Sequence, residues 1–193
     1  MRGQVVLIAV VAALGAGCSG SGDASQATPS TEAAESPVLP GARSPQGAVI
    51  PDLVVDRIVD GDTVKVTIGG EQVSVRLIGI DTPETVKPNT DVECFGPEAS
   101  AFADRQLTGQ PVILELDESQ GRFDRYDRLL AYVWRVTPDG DLVLFNEETV
   151  AGGFARERQY GDEPYSWRST LMQAEEDARE AGRGLWAACS SRP

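Results

Sequence analysis

Apolar and polar residues alternate in short runs along the middle of the chain, and these runs predict β-strands. Residues 53–58 (LVVDRI) and 63–68 (TVKVTI) are rich in β-branched residues, and an Asp-Gly turn signal separates them. Gly69 and Gly70 then lead into a third run at residues 72–80. Because each connection is short, we expect the three strands to pair in succession as a meander.

Helical spacing of apolar residues first appears after this meander. Residues 96–107 begin with Gly-Pro-Glu and place alanine, phenylalanine and leucine on one helical face. The other predicted elements are strands at 111–116, 129–136 and 142–144, a short helix capped by Asn146 and ending at Ala151, and an amphipathic helix at 167–181. This order predicts an α+β fold: a five-stranded β-barrel of the OB-fold type plus three helices.

The first 48 residues differ in composition from the rest. Residues 1–17 combine one arginine, an apolar run and small residues, which is the layout of a secretory signal. Cys18 follows directly and predicts lipidation of the lipoprotein type, with ordinary secretion as the alternative. Residues 18–48 are rich in Ser, Gly, Ala and Pro and predict a disordered tether. Residues 49–193 have the length of one domain.

These segments predict where the protein works. We expect an extracytoplasmic monomer, either secreted or held at the membrane through a lipid on Cys18. With Cys18 used in processing, Cys94 and Cys189 remain, and an even pair in an oxidising compartment predicts one disulfide. Two free thiols are the alternative.

Charge and composition narrow the chemistry. The formal net charge is −13, so bulk electrostatic attraction will not bring nucleic acid to this chain. A polyanion would have to be held locally, by a few arginines or a metal ion. The chain has no histidine, which removes the commonest general base and zinc ligand. Any catalysis must therefore use carboxylates and arginines.

Carboxylates gather where the predicted strands end. Asp62 follows the first turn of the meander and Asp81 ends its third strand, so the two side chains approach if those strands pair. Two close carboxylates repel unless a cation joins them, and calcium suits oxygen ligands of this kind. Glu84 lies three residues further on, within reach of a water beside such an ion. Arg76 and Arg128 are candidates to hold a phosphate there, Arg76 after a bulge at Gly79.

Each of these signals also has an ordinary structural explanation. Asp-Gly-Asp is common in turns, and an arginine in a strand usually forms a structural ion pair. The charged residues at 125–128 could be a solvated cluster, and the neighbouring aromatic residues could belong to the core. A non-catalytic OB module that binds oligonucleotides and a metal-stabilised structural domain are therefore the alternatives to an enzyme.

The motifs taken together resemble the thermonuclease (staphylococcal nuclease) family. The matching segments are DGDTV at 60–64, RLIGIDTPE at 76–84, GPEAS at 96–100, DRYDRLLAY at 124–132 and GRGLW at 182–186. The resemblance covers residues 54–186, nearly the whole predicted domain. It implies an OB-fold barrel with three helices and a calcium-dependent endonuclease acting on DNA and RNA.

The resemblance also implies roles for individual residues. Asp62 and Asp81 would hold calcium together with the carbonyl oxygen of Thr82. Glu84 would activate the attacking water, and cleavage would leave 3′-phosphates. The remaining implied positions are Arg76 and Arg128 at the scissile phosphate, Arg125 and Tyr126 at a terminal phosphate, and Tyr160 as the base-stacking aromatic, with Tyr165 as its alternative.

Overall fold

The computed structural model describes residues 43–85 and 91–189. The predicted signal at 1–17, the lipidation site Cys18 and most of the predicted tether lie outside these residues. In the described part of the chain, no helix is both long enough and apolar enough to cross a membrane.

The described residues form eight strands and four α-helices. The strands are β1 Val49–Asp60, β2 Thr63–Ile68, β3 Glu71–Leu77, β4 Ile80–Asp81, β5 Pro111–Glu115, β6 Leu129–Val136, β7 Leu142–Leu144 and β8 Arg156–Glu157. The helices are α1 Gly96–Leu107, α2 Phe145–Ala151, α3 Arg168–Glu180 and α4 Leu185–Ala188, with a 3₁₀ turn at Glu118–Gln120. The predicted meander and its three following helices are confirmed, and α4 is an additional short helix.

Five strands close the barrel. Their order is β3-β2-β1-β5-β6, and a parallel pairing of β3 with β6 joins the two ends. Strand β1 serves two neighbours: its first half pairs with β5 and its second half with β2, and irregularities in the pairing bend it between them. Alternate residues such as Val64, Val66 and Val75 are fully buried inside. The predicted five-stranded barrel is therefore confirmed.

Three predicted elements differ from the structure in detail. The first predicted strand, 53–58, is only the middle of the longer β1. The third predicted strand ends at Leu77 rather than at residue 80, because the chain turns at Ile78 and Gly79. The prediction that Asn146 caps α2 is wrong, since the helix begins at Phe145 and no side chain caps it. Asn146 is fully buried; its amide donates to the Ile78 carbonyl, and its side-chain oxygen accepts from the Val133 N–H. It ties the turn after β3 to β6.

Glu115 joins distant parts of the chain inside the core. Its side chain is 1% exposed. One carboxylate oxygen accepts the backbone N–H groups of Gln46 and Gly47 at 2.7 and 2.8 Å. The other accepts the indole N–H groups of Trp134 and Trp167 at 2.7 and 3.0 Å. Four N–H donors thus compensate a buried charge that would otherwise be costly.

The residues just before β1 lie against the domain. Besides the contacts of Gln46 and Gly47 with Glu115, Arg43 pairs with the buried carboxylate of Glu147 at 3.1 Å and donates to the Thr170 hydroxyl. Residues 43–48, which the composition assigns to the tether, are therefore held by specific polar contacts. The composition of this segment does not predict these contacts, because two of them are made by backbone N–H groups and do not depend on apolar side chains.

A disulfide joins Cys94 and Cys189, which lie 95 residues apart with Cα atoms at 5.9 Å. It links the turn before α1 to the end of α4. Because the bridge closes a long loop, it restricts the unfolded chain more than a short-range bridge would.

We expect Glu115→Gln to lower the free energy of unfolding by about 3 kcal/mol. The amide keeps the size of the side chain, but its NH₂ group faces two N–H donors, which are then left without an acceptor. Urea unfolding measures the loss. The exposed Glu118 provides the matched control as Glu118→Gln. Equal stability of the two variants would contradict the role given to Glu115.

Candidate active site

Arg76 lies at the centre of the site, at the end of β3. It pairs across the sheet with Thr63 on β2, and its side chain is almost completely buried. Its guanidinium donates to the carbonyl oxygens of Leu77 and Ile80. One of its nitrogens, Nη2, also lies 3.0 Å from the Asp62 carboxylate. The arginine predicted to be buried is thus fixed by a carboxylate and two backbone carbonyl groups.

Gly79 shapes the turn that brings the next carboxylate back to Arg76. Its φ of +78° lies in the left-handed region that favours glycine. A Cβ there would stand only 2.6 Å from the ring of Tyr165. After this turn Asp81 comes within 3.7 Å of Arg76, and its strand β4 pairs with β8. The sequence analysis expected a bulge at Gly79 within a continuous strand; the structure instead has a turn there that separates β3 from β4.

Two carboxylates, those of Asp62 and Asp81, lie beside Arg76, and Asp60 interacts with Asp62. Asp62 is buried and accepts the Thr63 hydroxyl at 3.0 Å and the Thr82 N–H at 3.1 Å. Burial, and then the charge of Asp62, raises the pKa of Asp60 to about 7. The sequence analysis gave Asp60 no role, although it opens the Asp-Gly-Asp turn. Without a further cation, negative charge at this point is in excess.

The donors in this region fit a hard cation. Asp62 and Asp81 approach the same guanidinium, and Asp62 accepts the backbone N–H of Thr82, whose carbonyl oxygen is the third candidate ligand. All three offer oxygen, as calcium and magnesium prefer, and no nitrogen or sulfur ligand for zinc is present among them. Within 43–85 and 91–189, no three acidic, histidine or cysteine side chains cluster closely enough to hold a metal alone. Water would have to complete the coordination.

Glu84 lies in the segment that follows β4, immediately after Pro83. Its side chain is half-buried and lines the same groove as Arg76 and Asp81. One carboxylate oxygen accepts the Thr85 N–H at 2.9 Å, and the backbone N–H of Glu84 donates to Glu93. These contacts hold a carboxylate at the groove, where it can accept a proton from a water.

Arg128 reaches the groove from the start of β6. Its guanidinium binds Asp124 through Nη2 at 2.6 Å and Nε at 2.7 Å, and Nη1 donates to the Thr63 hydroxyl at 3.3 Å. Thr63 also pairs with Arg76 across the sheet, so the two arginines meet at one residue. The sequence analysis gave Asp124 no role; its position four residues before Arg128 was the available signal.

Burial alone would raise the pKa of Asp124, but hydrogen bonds from Arg128 and Tyr126, together with the Arg128 charge, lower it. Because the folded pKa lies below the unfolded one, the ion pair contributes its full stabilisation to the folded protein above about pH 4. That stabilisation is lost as the pH falls through the folded pKa. Asp124 is therefore charged at neutral pH and holds Arg128 in place.

We expect Asp124→Asn to lower kcat about tenfold at pH 7, because a neutral amide no longer fixes the guanidinium of Arg128. Asp104→Asn, on the exposed face of α1, is the matched control. Hydrolysis of single-stranded DNA, the substrate that the family resemblance implies, gives the rates. A variant as active as the control would show that Arg128 needs no such anchor.

Aromatic residues line the outer part of the groove. Tyr126 is 63% exposed and lies under the guanidinium of Arg125 at 4.7 Å. Tyr160 is also exposed, and its hydroxyl donates to Asp81 at 2.9 Å. Burial raises the pKa of Tyr160 to about 12, against the opposing effect of Arg76. Tyr165 is buried and donates to Glu157, so of these two tyrosines only Tyr160 is exposed at the groove.

One groove thus brings together every residue that the sequence analysis placed at the site. Its lining includes Asp62, Arg76, Asp81, Thr82, Glu84, Arg125, Tyr126, Arg128 and Tyr160. Arg57, Lys65, Ser74 and Phe123 line it as well, and the sequence analysis gave these four no role. In a strongly acidic protein, this groove combines carboxylates at its base with arginines around them.

Comparison with known proteins agrees with this geometry. The family model described as staphylococcal nuclease homologue matches residues 74–188. Thermonuclease from Staphylococcus hyicus is 43% identical over 133 residues, which cover 69% of this chain and 74% of the relative. Thermonuclease from Staphylococcus intermedius is 41% identical over the same shares. The SPbeta prophage-derived endonuclease YokF of Bacillus subtilis is 36% identical over 136 residues, 70% of this chain and 44% of the relative. The chain belongs to the staphylococcal nuclease family and is a hydrolase of the nuclease class.

Proposed function

We propose that this protein is a calcium-dependent endonuclease that hydrolyses phosphodiester bonds of DNA and RNA and leaves 3′-phosphates. The observation that carries the proposal is the meeting of three kinds of group in one groove. These are the oxygen ligands of Asp62 and Asp81, the carboxylate of Glu84, and the guanidinium groups of Arg76 and Arg128. A site that only bound oligonucleotides would not need a carboxylate placed beside two phosphate-binding arginines.

The roles of these groups follow from the chemistry of the bond. Arg76 and Arg128 donate hydrogen bonds to the non-bridging phosphate oxygens, whose negative charge grows as the phosphorus becomes five-coordinate. Glu84 accepts a proton from the attacking water as the new oxygen–phosphorus bond forms. The bond from phosphorus to the 5′-oxygen then breaks, and that oxygen takes a proton from solvent. When bound, calcium supplies positive charge that stabilises the phosphate during this reaction.

Residues around the site and the charge of the whole chain determine how the substrate is held. Arg125 and Tyr126 are placed to hold a terminal phosphate of the substrate, and Tyr160 to stack on a base. Because the chain carries a net charge of −13, the polyanion is attracted by the basic groups of the groove and not by the charge of the whole chain. We therefore propose weak, salt-sensitive capture of substrate, with DNA and RNA both accepted.

We also propose that the protein is exported and acts as an extracytoplasmic monomer. The disulfide between Cys94 and Cys189 supports an oxidising compartment. Residues 1–17 would direct export, and a lipid on Cys18 would hold the protein at the membrane. Secretion without a lipid is the alternative. Metabolic labelling with a radioactive fatty acid, compared between the full chain and Cys18→Ser, distinguishes the two.

The test of the nuclease is metal removal. The chain from residue 19 onward is incubated with single-stranded DNA in calcium, in magnesium and in EGTA. We expect digestion in calcium and none in EGTA, with product ends that accept new nucleotides only after phosphatase treatment. Retained binding of the oligonucleotide without digestion in either metal would instead identify a non-catalytic binding module.

A further inference from the structure

Two basic residues face each other on the groove side of the barrel, outside the site described above. Arg57 on β1 is the cross-strand partner of Lys65 on β2, and Lys65 is in turn the partner of Ser74 on β3. All three line the groove that holds Arg76 and Arg128. They form a row across three adjacent strands, here called the basic row.

The basic row is costly for the folded protein by itself. Like charges directly opposite each other across a sheet are destabilising. Within the described part of the chain, neither Arg57 nor Lys65 has an acidic side chain within ion-pair distance. The chain has 30 acidic residues against 17 basic ones, so acidic partners are plentiful in the sequence. Two unpaired cations placed together in a groove indicate an anionic ligand.

The position of the row relative to Arg76 identifies the kind of anion. Lys65 lies two residues along β2 from Thr63, and Ser74 lies two residues along β3 from Arg76. Residues two apart in a strand share a face and are separated by about 6.6 Å. Thr63 and Arg76 are themselves cross-strand partners in the site. This separation is close to that of successive phosphates in an extended single strand.

We infer that the basic row binds the phosphate next to the scissile one. Arg57 and Lys65 neutralise its charge, and the hydroxyl of Ser74 donates a hydrogen bond to it. The inference rests on the proposed function and adds a preference to it: the enzyme takes single-stranded oligonucleotides with at least two phosphodiester bonds more readily than a dinucleoside-sized ester.

Binding of a fluorescent penta-thymidylate in EGTA tests the row without turnover. Fluorescence anisotropy is measured at several salt concentrations for wild type, Arg57→Gln, Lys65→Gln and the double variant. We expect the double variant to bind about tenfold more weakly, with a salt dependence smaller by about 0.7 because the contact with one phosphate is lost. Arg105→Gln, which removes one charge from the exposed face of α1, is the control and should bind nearly as wild type does.

Two further readouts separate this inference from a structural role and from the proposed function. Thermal unfolding of the double variant should occur at or above the wild-type temperature, since a like-charge pair has been removed. The ratio of kcat/KM for the penta-thymidylate to kcat/KM for a nitrophenyl ester of thymidine phosphate, both in calcium, should fall about tenfold.

Oligonucleotide affinity and salt dependence matching those of Arg105→Gln would overturn the inference. If wild type hydrolyses neither substrate but the double variant still loses affinity, the basic row stands and the nuclease proposal fails.

Discussion

Glu84→Gln is expected to lower kcat for single-stranded DNA about a thousandfold while leaving the fold intact. The amide preserves size and the groove-lining position but cannot accept a proton from water at neutral pH, and general-base catalysis contributes effects of about this size. Because the side chain is half-buried and Gln keeps an oxygen that can accept the Thr85 N–H, the loss in free energy of unfolding should be small beside the loss in kcat. Steady-state hydrolysis in calcium, beside urea unfolding, measures both quantities.

A control separates the role of Glu84 from a general effect of lost negative charge. Glu71→Gln removes one carboxylate from an exposed position on β3 and should keep wild-type turnover. Calcium affinity of Glu84→Gln should remain within a few-fold of wild type, because Asp62 and Asp81 are untouched. Turnover of Glu84→Gln within tenfold of wild type would remove Glu84 from the mechanism and leave another group to activate the water.

Arg76→Lys should lower kcat about a hundredfold or more even though the charge is kept. A lysine offers one compact ammonium group, whereas the guanidinium serves several acceptors at once through a planar fork. In the structure that fork reaches Leu77, Ile80 and Asp62. The replacement leaves at least one buried carbonyl without a donor, so we also expect a loss of about 2 kcal/mol in unfolding free energy.

The two consequences of Arg76→Lys can be measured apart. Arg105→Lys on exposed α1 is the matched control for both. If stability falls but turnover per folded molecule stays near wild type, Arg76 is a structural ion pair and not a phosphate ligand. Single-turnover rates at saturating DNA decide this, because they are independent of substrate capture.

Local pattern predicted the barrel well because its strands are short and one-sided. In β2, alternate residues face the core, so the period-two alternation marks both its extent and its inner face, whereas β3 ends three residues before its predicted end. Asn146 shows where local pattern fails. An asparagine near the predicted start of a helix resembles an N-cap. In the structure Asn146 lies inside α2, where its side chain hydrogen-bonds buried backbone groups of Ile78 and Val133, which are distant in sequence. These hydrogen bonds form only in the folded chain, so the local sequence around Asn146 does not reveal them.

Part of the site could also be predicted from local sequence. The ordered motifs named Asp62, Arg76, Asp81 and Glu84, and Gly79 indicated an irregularity between Arg76 and Asp81, although as a bulge and not as the turn that the structure has. Pairings across the sheet could not be predicted from the sequence, because the register of Arg57 with Lys65 depends on irregularities in the pairing of β1 with β2. The choice between Tyr160 and Tyr165 also depended on burial, which two similar tyrosines in one loop do not reveal.

Glu115 has a consequence for how the protein could be shortened in nature. Its carboxylate binds residues before the barrel, the barrel itself and the start of α3 through one side chain. A protease that cut ahead of Arg43 would release a domain with all four N–H donors in place. A cut after Gly47 would remove two donors and weaken the anchoring of Glu115, which also accepts from Trp167 just before α3. The last residues of the predicted tether, 43–48, thus form part of the folded enzyme, and cleavage before them would leave its contacts intact.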